Sequence, residues 1–301
     1  MTSSPSTPPP QNGTAISDSA WHSLLAVLVG QVTQDDKARD FLHVARLVAG
    51  THDAALTMLV PLMDPQATVS YVGEGASTGV IAGLIEASDR ENTARTGAAK
   101  ALFDDMLAGL DRVQLKTQAG REGDVAAAAA LCCDLALCQT PSVFADDNMR
   151  SGVQEGVIEA ILFDSGHPVL AVPAGNHPTL DHILIVWNGR AEAARAISAA
   201  MPLLRRADKV SICQAEDASS DDVKTWLATH GVAVACAGAL DPGHGVLEDR
   251  TGAAILDMAD RLNADCLVMG AYVHSRLRQL FVGGATRTVL KKTTKPVLLA
   301  H

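Results

Sequence analysis

Near the C-terminus, glycines and small residues occur at a spacing that suits the binding of an anion. The apolar run 266–269 ends at Gly270, and after a polar loop Gly283 and Gly284 open a segment with helical periodicity. The first backbone N–H groups of a helix have no partner within the helix, and small residues leave them open to a phosphate. The stretch therefore predicts a strand, a loop and a helix that bind an anion through the backbone. Arg276, Arg278 and Arg287 are either counter-charges to that anion or part of a solvated face.

A second motif has the spacing of a catalytic serine. Residues 75–79 read Gly-Ala-Ser-Thr-Gly, the G-x-S-x-G pattern in which a tight turn exposes a serine hydroxyl. For such chemistry Ser77 must follow a core strand and meet a histidine and an acid. The preceding run 69–72 is a poor central strand, so a glycine-rich loop is the favoured interpretation. A serine hydrolase that uses Ser77 is kept as a distant alternative.

Length and charge narrow the classes of function. The chain has 301 residues, 48% of them hydrophobic, which is enough for two domains of ordinary size. The formal charge of −10 argues against a nucleic-acid surface, because neutralising phosphates needs clustered Lys and Arg. No apolar run is long enough to span a membrane.

The cysteines and the N-terminus indicate a cytoplasmic protein. The six cysteines lie mostly inside apolar runs and form no CxxC pair, so we interpret them as reduced, buried thiols of a reducing compartment. Residues 1–20 are rich in Ser, Thr and Pro and have neither a basic start nor an apolar core. They predict a disordered tail and not a signal peptide.

Strands and helices alternate along the rest of the chain, and their order repeats. A helix is predicted over 190–206, and the predicted strands include 168–173, 182–187, 232–237 and 296–301. Residues 24–30 (LLAVLVG) correspond to 183–189 (ILIVWNG), and 168–173 (PVLAVP) to 296–301 (PVLLAH). The alternation predicts parallel, doubly wound α/β sheets, and the repeat predicts two tandem domains. Their expected bounds are 21–174 and 181–301.

The C-terminal segment resembles the universal stress protein family, whose nucleotide signature is G-x2-G-x9-G-[ST]. Gly270 and Gly283 fit the first and third glycines at the right separation, Val273 replaces the second, and Gly284 replaces the hydroxyl residue. The resemblance covers about residues 21–301. It implies two tandem doubly wound domains of the adenine nucleotide alpha hydrolase type. It also implies that the last strand of each domain lies at the interface of an internal pseudo-dimer.

The resemblance further implies a site for ATP or another adenine nucleotide in the C-terminal domain. Asn188 stands where the family has an Asp, and Val273 adds bulk near the ribose or phosphates. In the N-terminal domain Gln139 stands where the second has Gly270, so that domain is expected to be a degenerate packing partner. The expected binding residues are Trp187, Asn188, Gly189, Gln214, Gly270, Ala271, Gly283, Gly284, Ala285 and Thr286.

The expected function is nucleotide binding or sensing in stress-linked regulation, without catalysis and without a metal. One alternative is a scaffold that has no ligand and acts through protein contacts. Assembly of two chains into a homodimer stays open. Tyr272 and His274 are either pocket residues or ordinary surface or core residues.

Overall fold

Strands and helices alternate throughout the computed structural model, which describes residues 20–30, 36–64, 78–141, 148–175, 178–215, 218–240, 248–271 and 284–301. Residues 1–19 of the expected tail lie outside this range. The strands are β1 Ser23–Val27, β2 Ala55–Leu62, β3 Val113–Ala119, β4 Leu135–Gln139, β5 Val169–Val172, β6 His182–Trp187, β7 Lys209–Gln214, β8 Val234–Ala239, β9 Cys266–Gly270 and β10 Val297–Ala300.

The helices connect these strands. They are α1 Asp36–His52, α2 Thr78–Met106, α3 Glu122–Ala130, α4 Asn148–Ala160, α5 Ala191–Ala199, α6 Met201–Leu204, α7 Asp221–Thr229, α8 Glu248–Arg261 and α9 Gly284–Lys292. A π-helical turn, Ile161–Ser165, continues α4.

The strands form one ten-stranded sheet in the order β3-β2-β1-β4-β5-β10-β9-β6-β7-β8. Read from its outer strand inward, each half has the order third, second, first, fourth, fifth, and all pairs within a half are parallel. The doubly wound fold class predicted from the sequence is therefore confirmed. The halves meet where β5 and β10 pair antiparallel, with Leu298 opposite Leu170, as the resemblance implies for the last strands.

The antiparallel pairing of β5 and β10 makes the two halves of the sheet run in opposite directions. The carboxyl ends of β1, β2 and β4 consequently lie at one end of the strands, which we call one end of the sheet. The carboxyl ends of β6, β7 and β9 lie at the opposite end of the sheet. Ligands of doubly wound sheets bind outside the carboxyl ends of the strands. Any ligand site of the C-terminal half is thus far removed from its counterpart in the N-terminal half.

Each face of the sheet carries one apolar core that runs across both halves. On one face α1, α2, α5, α6 and α7 cover side chains such as Leu170 and Leu298. On the other face α3, α4, α8 and α9 cover side chains such as Val169 and Val297. All four residues of β5 and all four of β10 are buried, which is why both strands read as unbroken apolar runs.

Two helices and one strand differ from the sequence expectation. The single helix expected over 190–206 is divided into α5 and α6, because Pro202 lies in the first turn of α6 and has no N–H to continue α5. Helix α2 already begins at Thr78, inside the stretch interpreted as a glycine-rich loop. Strand β8 spans 234–239 and not 232–237, since its small alternating residues give a weak apolar signal.

His52 is a buried neutral side chain at the end of α1. It is 4% exposed, and its ring packs on Trp21 with centroids 4.7 Å apart. Within the described structure its Nδ1 has no hydrogen-bond partner. Burial, and secondly the positive charge of Arg206, lower the pKa of His52 to about 4.

This histidine predicts a pH-dependent stability. Because its pKa is lowered on folding, the unfolded chain binds the proton more tightly, and stability falls as the pH drops from 6.5 towards 4. Between pH 7 and pH 5 the free energy of unfolding should decrease by about 2 kcal/mol through this group. His52→Phe should remove that part of the pH dependence, as measured by urea denaturation at both pH values.

The control for His52 is His230→Phe. His230 also packs its ring on a tryptophan, Trp226, at 4.7 Å, but Trp226 is exposed and the pair lies at the surface. For His230→Phe, the free energy of unfolding should decrease between pH 7 and pH 5 by as much as it does for the wild type. An unchanged decrease in His52→Phe would show that His52 does not titrate in this window.

Candidate functional site

The candidate site lies at the carboxyl ends of β6, β7 and β9. These strands are parallel neighbours, with Val186 opposite Met269 and Trp187 opposite Gln214. Their carboxyl ends therefore lie side by side at the same end of the sheet. The predicted residues Trp187, Asn188, Gln214 and Gly270 follow or end these strands.

Gly270 brings two of the predicted segments into direct contact. A Cβ on Gly270 would lie 2.6 Å from the backbone nitrogen of Ala193 and 2.8 Å from the Cβ of Glu192. The first turn of α5 thus rests directly on the end of β9, and only glycine leaves room for it. This contact places the turn after β6 beside the start of the loop after β9.

The turn between β6 and α5 is held by the side chain of Asn188. Its Oδ1 accepts a hydrogen bond from the backbone N–H of Arg190 at 3.1 Å. Gly189 has φ 71°, in the left-handed region that favours glycine. The acceptor oxygen of Asn188 already serves this turn, so the side-chain NH2 is the group that is left for a ligand.

Trp187 and Ala271 use their polar groups within the protein. The indole N–H of Trp187 donates to the carbonyl of Ser219 at 2.8 Å. The N–H of the fully buried Ala271 donates to Ala300 at 2.8 Å, and its carbonyl accepts from Nδ1 of His301 at 3.1 Å. These two residues can shape a site, but they do not offer hydrogen bonds to a ligand.

The backbone of Gln214 is also paired. Its carbonyl accepts a hydrogen bond from Leu240 N–H at 2.7 Å, while its side chain is partly exposed. The side-chain amide is therefore the polar group that Gln214 presents at the carboxyl end of β7.

Helix α9 carries the C-terminal part of the predicted site. Gly284 and Ala285 are partly exposed, whereas Thr286 is 4% exposed and faces the core. Residues 272–283 lie outside the described range, so the placements of Tyr272, Val273, His274, Arg276, Arg278 and Gly283 are not described.

A glycine that sequence reasoning did not single out sets the position of α9. A Cβ on Gly252, in α8, would lie 2.7 Å from Cβ of Thr288 and 2.9 Å from the carbonyl oxygen of Ala285. Gly252 lets α8 and α9 approach closely. A helix-interior glycine, which is locally unfavourable, was the sequence signal available for this contact.

Comparison with known protein families identifies a match for the half of the chain that contains the candidate site. The model of the universal stress protein family matches residues 179–301. Residues 179–301 are a universal stress protein domain. No curated protein sequence matches the chain.

Three solved structures share the fold over nearly the whole chain. A universal stress protein from Archaeoglobus fulgidus DSM 4304 is 15% identical, with a TM-score of 0.62, and the match covers 92% of this chain and 95% of that one. A putative universal stress protein from Pseudomonas aeruginosa UCBPP-PA14 is 18% identical, with a TM-score of 0.55 and 94% of both chains covered. A functionally unknown protein, PA1789 of Pseudomonas aeruginosa PAO1, is 17% identical, with a TM-score of 0.55 and coverages of 94% and 93%.

Arg287 of the universal stress protein domain contacts the N-terminal half. Its Nε lies 3.1 Å from Oε1 of Glu155 in α4, and the Glu155 side chain is only 12% exposed. The neighbouring Glu159 has its pKa raised by burial and by Glu155, an effect that Arg287 opposes. The charge of Arg287, one of the candidate counter-charges, therefore balances this acidic pair of the N-terminal half.

The N-terminal half differs from the universal stress protein domain at the end of its fourth strand. Gly30, which corresponds to Gly189, has φ 83°, so the two first turns share a left-handed glycine. At the position of Gly270, however, the Nε2 of Gln139 donates to the carbonyl of Lys37 at 3.2 Å. A side chain thus spans the space that in the other half is closed by direct contact between strand and helix.

Other classes of site find no support in the described residues. These residues contain no group of three or more His, Cys, Asp or Glu that could hold a metal ion. Within the same ranges no helix combines the length and the apolarity needed to cross a bilayer. Ser77 lies outside the described residues, and Gly79 of its motif belongs to helix α2.

Proposed function

We propose that the chain is a cytoplasmic tandem universal stress protein that binds or senses an adenine nucleotide, with ATP as the first candidate. The C-terminal domain, residues 181–301, holds the ligand, and the N-terminal domain, residues 21–174, is its degenerate partner in a pseudo-dimer. The role is regulatory binding in a stress response, without catalysis. The observation that carries the proposal is the contact of Gly270 with Glu192 and Ala193, which joins the two ligand-contacting segments that the family resemblance implies.

The described residues fit an anionic ligand in two respects. Helix α5 begins after Arg190 without a side-chain cap, so no side chain of its N-cap residue competes with a ligand for the N–H groups of its first turn. Helix α9 begins with Gly284 and Ala285, whose small side chains allow a phosphate to approach the backbone closely. A bound nucleotide would supply the phosphate charge, and Asn188 would donate to it or to its ribose through its side-chain NH2.

A scaffold without ligand is the second candidate, and specific contacts favour it. The indole N–H of Trp187, the backbone of Ala271 and the guanidinium of Arg287 all have partners within the protein. A site whose predicted groups are satisfied without a ligand has less need of one. In that case the surface of the fold would serve contacts with other proteins.

Thermal unfolding with millimolar ATP distinguishes the two. A ligand that binds only the folded state raises the melting temperature, and at one hundred times Kd it adds about 2.7 kcal/mol. We expect ATP to raise the melting temperature of the wild type, and Asn188→Ala to lose most of this increase. Equilibrium dialysis should likewise show that the wild type binds ATP more tightly than Asn188→Ala does.

Asn92→Ala is the matched control for Asn188→Ala. The side-chain amide of Asn92 also holds a chain segment, since it bonds the backbone N–H and carbonyl of Met63 at 2.9 Å each, but in the N-terminal half. This variant should lose intrinsic stability and keep the ATP-dependent increase. No increase in the wild type at millimolar ATP would favour the scaffold.

A further inference from the structure

A serine, a histidine and a cysteine form a hydrogen-bonded chain away from the candidate nucleotide site. His182 is the first residue of β6, so this cluster lies towards the amino ends of the strands. The candidate nucleotide site lies at their carboxyl ends. Ser211 in β7 is fully buried, and Cys236 in β8 is partly exposed. His182 Nε2 lies 2.9 Å from Ser211 Oγ, and Cys236 Sγ lies 3.2 Å from the same hydroxyl.

The direction of each hydrogen bond follows from its partners. Nδ1 of His182 lies 3.2 Å from the carbonyl oxygen of Asn263, which can only accept, so Nδ1 carries the proton. In the neutral ring Nε2 is then an acceptor, and the hydroxyl of Ser211 donates to it. The hydroxyl oxygen in turn accepts from the thiol of Cys236. The thiol proton therefore has a complete path to a base.

His182 is kept in the neutral form that this path requires. Burial, and secondly the charge of Lys209, lower the pKa of His182, while the bond to Asn263 and the carboxylate of Asp265 act in the opposite direction. A neutral imidazole can accept a proton, whereas an imidazolium cannot.

A β-bulge turns Cys236 towards this chain. Val210 pairs with Val234 and Ser211 pairs with Cys236, so Ala235 is an extra residue in β8. In a regular strand Ala235 would pair with Ser211, and Cys236 would face the same side as Val234, away from Ser211. Bulges at sheet edges often re-aim a side chain in this way, and β8 is an edge strand.

We propose that Cys236 is an oxidation-sensitive thiol whose proton passes through Ser211 to His182 as the sulfur attacks a hydroperoxide. An S–O bond forms as the O–O bond breaks, and sulfur is oxidised by two electrons as the peroxide is reduced. The thiol proton moves to Ser211 Oγ, and the hydroxyl proton of Ser211 moves to Nε2. The leaving alkoxide or hydroxide is protonated by solvent or by the imidazolium, which gives a cysteine sulfenic acid and an alcohol or water.

Within the described structure the other cysteines lack an exposed thiol, a hydrogen-bonded path to a base, or both. Cys132 is exposed but has no such base in the described structure, so it is the natural internal reference. Cys133, Cys138, Cys213 and Cys266 are buried, and burial raises the pKa of each of these thiols. Thiolate formation is disfavoured in all four.

The sulfenic acid should persist without forming an internal disulfide. Cys213 is the nearest candidate partner, because it lies on the same sheet face and pairs with Gly238, one diagonal from Cys236. Diagonal neighbours are about 7–8 Å apart, beyond the usual reach of a disulfide. The product therefore remains open to trapping by dimedone.

The test treats the reduced full-length chain with substoichiometric hydrogen peroxide and dimedone, followed by peptide mass spectrometry. We expect Cys236 to be labelled at least about ten times faster than Cys132. Ser211→Ala and His182→Gln should each lower labelling of Cys236 about ten-fold while leaving Cys132 unchanged. Ser198→Ala, which removes an exposed hydroxyl from α5, is the control and should not alter either rate.

The wild-type chain alone can overturn the proposal, even if a variant does not fold. Equal or faster labelling of Cys132 would show that the chain of hydrogen bonds does not activate Cys236. Labelling of Cys236 that is unchanged in a folded Ser211→Ala or His182→Gln variant would show that its reactivity is independent of the proton path.

Discussion

Gly270→Ala is expected to lower the free energy of unfolding by more than about 3 kcal/mol. The added methyl group would lie 2.6 Å from the backbone nitrogen of Ala193 and 2.7 Å from the carbonyl carbon of Glu192. Backbone atoms cannot rotate away as a side chain can, so α5 must shift off the end of β9. Urea denaturation followed by circular dichroism measures the loss.

Gly238→Ala is the control for the glycine at the end of β9. Gly238 also lies in a strand of the C-terminal half, but its added Cβ would meet only Cε of Met258, at 4.0 Å. This variant should match the wild type within about 0.5 kcal/mol or be slightly more stable, because alanine restricts the unfolded chain. Equal stabilities of the two variants would contradict the tight contact between α5 and β9.

Gly252→Ala is expected to lower the free energy of unfolding by about 2 to 3 kcal/mol. Its methyl group would lie 2.7 Å and 2.9 Å from Cβ and Cγ2 of Thr288 and 2.9 Å from the carbonyl of Ala285. Rotation of the Thr288 side chain can relieve the contact with Cγ2, but not those with Cβ and with the carbonyl oxygen, so α9 must shift away from α8. Because α9 must move, any ATP-dependent increase in melting temperature should also diminish.

The control for the α8–α9 contact is Gly97→Ala. Gly97 lies inside α2 and an added Cβ would meet nothing within 4 Å. Alanine is the better helix former by up to about 1 kcal/mol, so this variant should be stabilised. If Gly252→Ala were stabilised as well, Gly252 would not set the distance between α8 and α9.

The sequence predicted the sheet well because most of its strands are buried on both faces. The predicted bounds of β6, 182–187, are those observed, and the predictions for β5 and β10 differ from the observed strands by one residue at each end. Such strands read as continuous apolar runs, and their order repeats along the chain. Where this signal is weak, as in β8 with its alternating exposed residues, the predicted strand was displaced.

The candidate site was predicted less completely, because its residues act through contacts that periodicity does not reveal. The sequence marked Gly270 as part of a ligand loop, but not that α5 would occupy the space beside it. It likewise could not show that Arg287 pairs with Glu155 across the two halves, or that Ala271 is held by Ala300 and His301. These are long-range contacts between segments that are distant in sequence.

Hydrogen exchange with and without millimolar ATP, read by mass spectrometry, locates nucleotide binding most directly. We expect ATP to slow exchange in peptides that cover residues 187–190, 270–271 and 284–286. The corresponding N-terminal peptides, which cover residues 27–30 and 139–141, should exchange at the same rate with and without ATP. Unchanged exchange in the C-terminal peptides, or slowing confined to the N-terminal ones, would contradict nucleotide binding by the C-terminal domain.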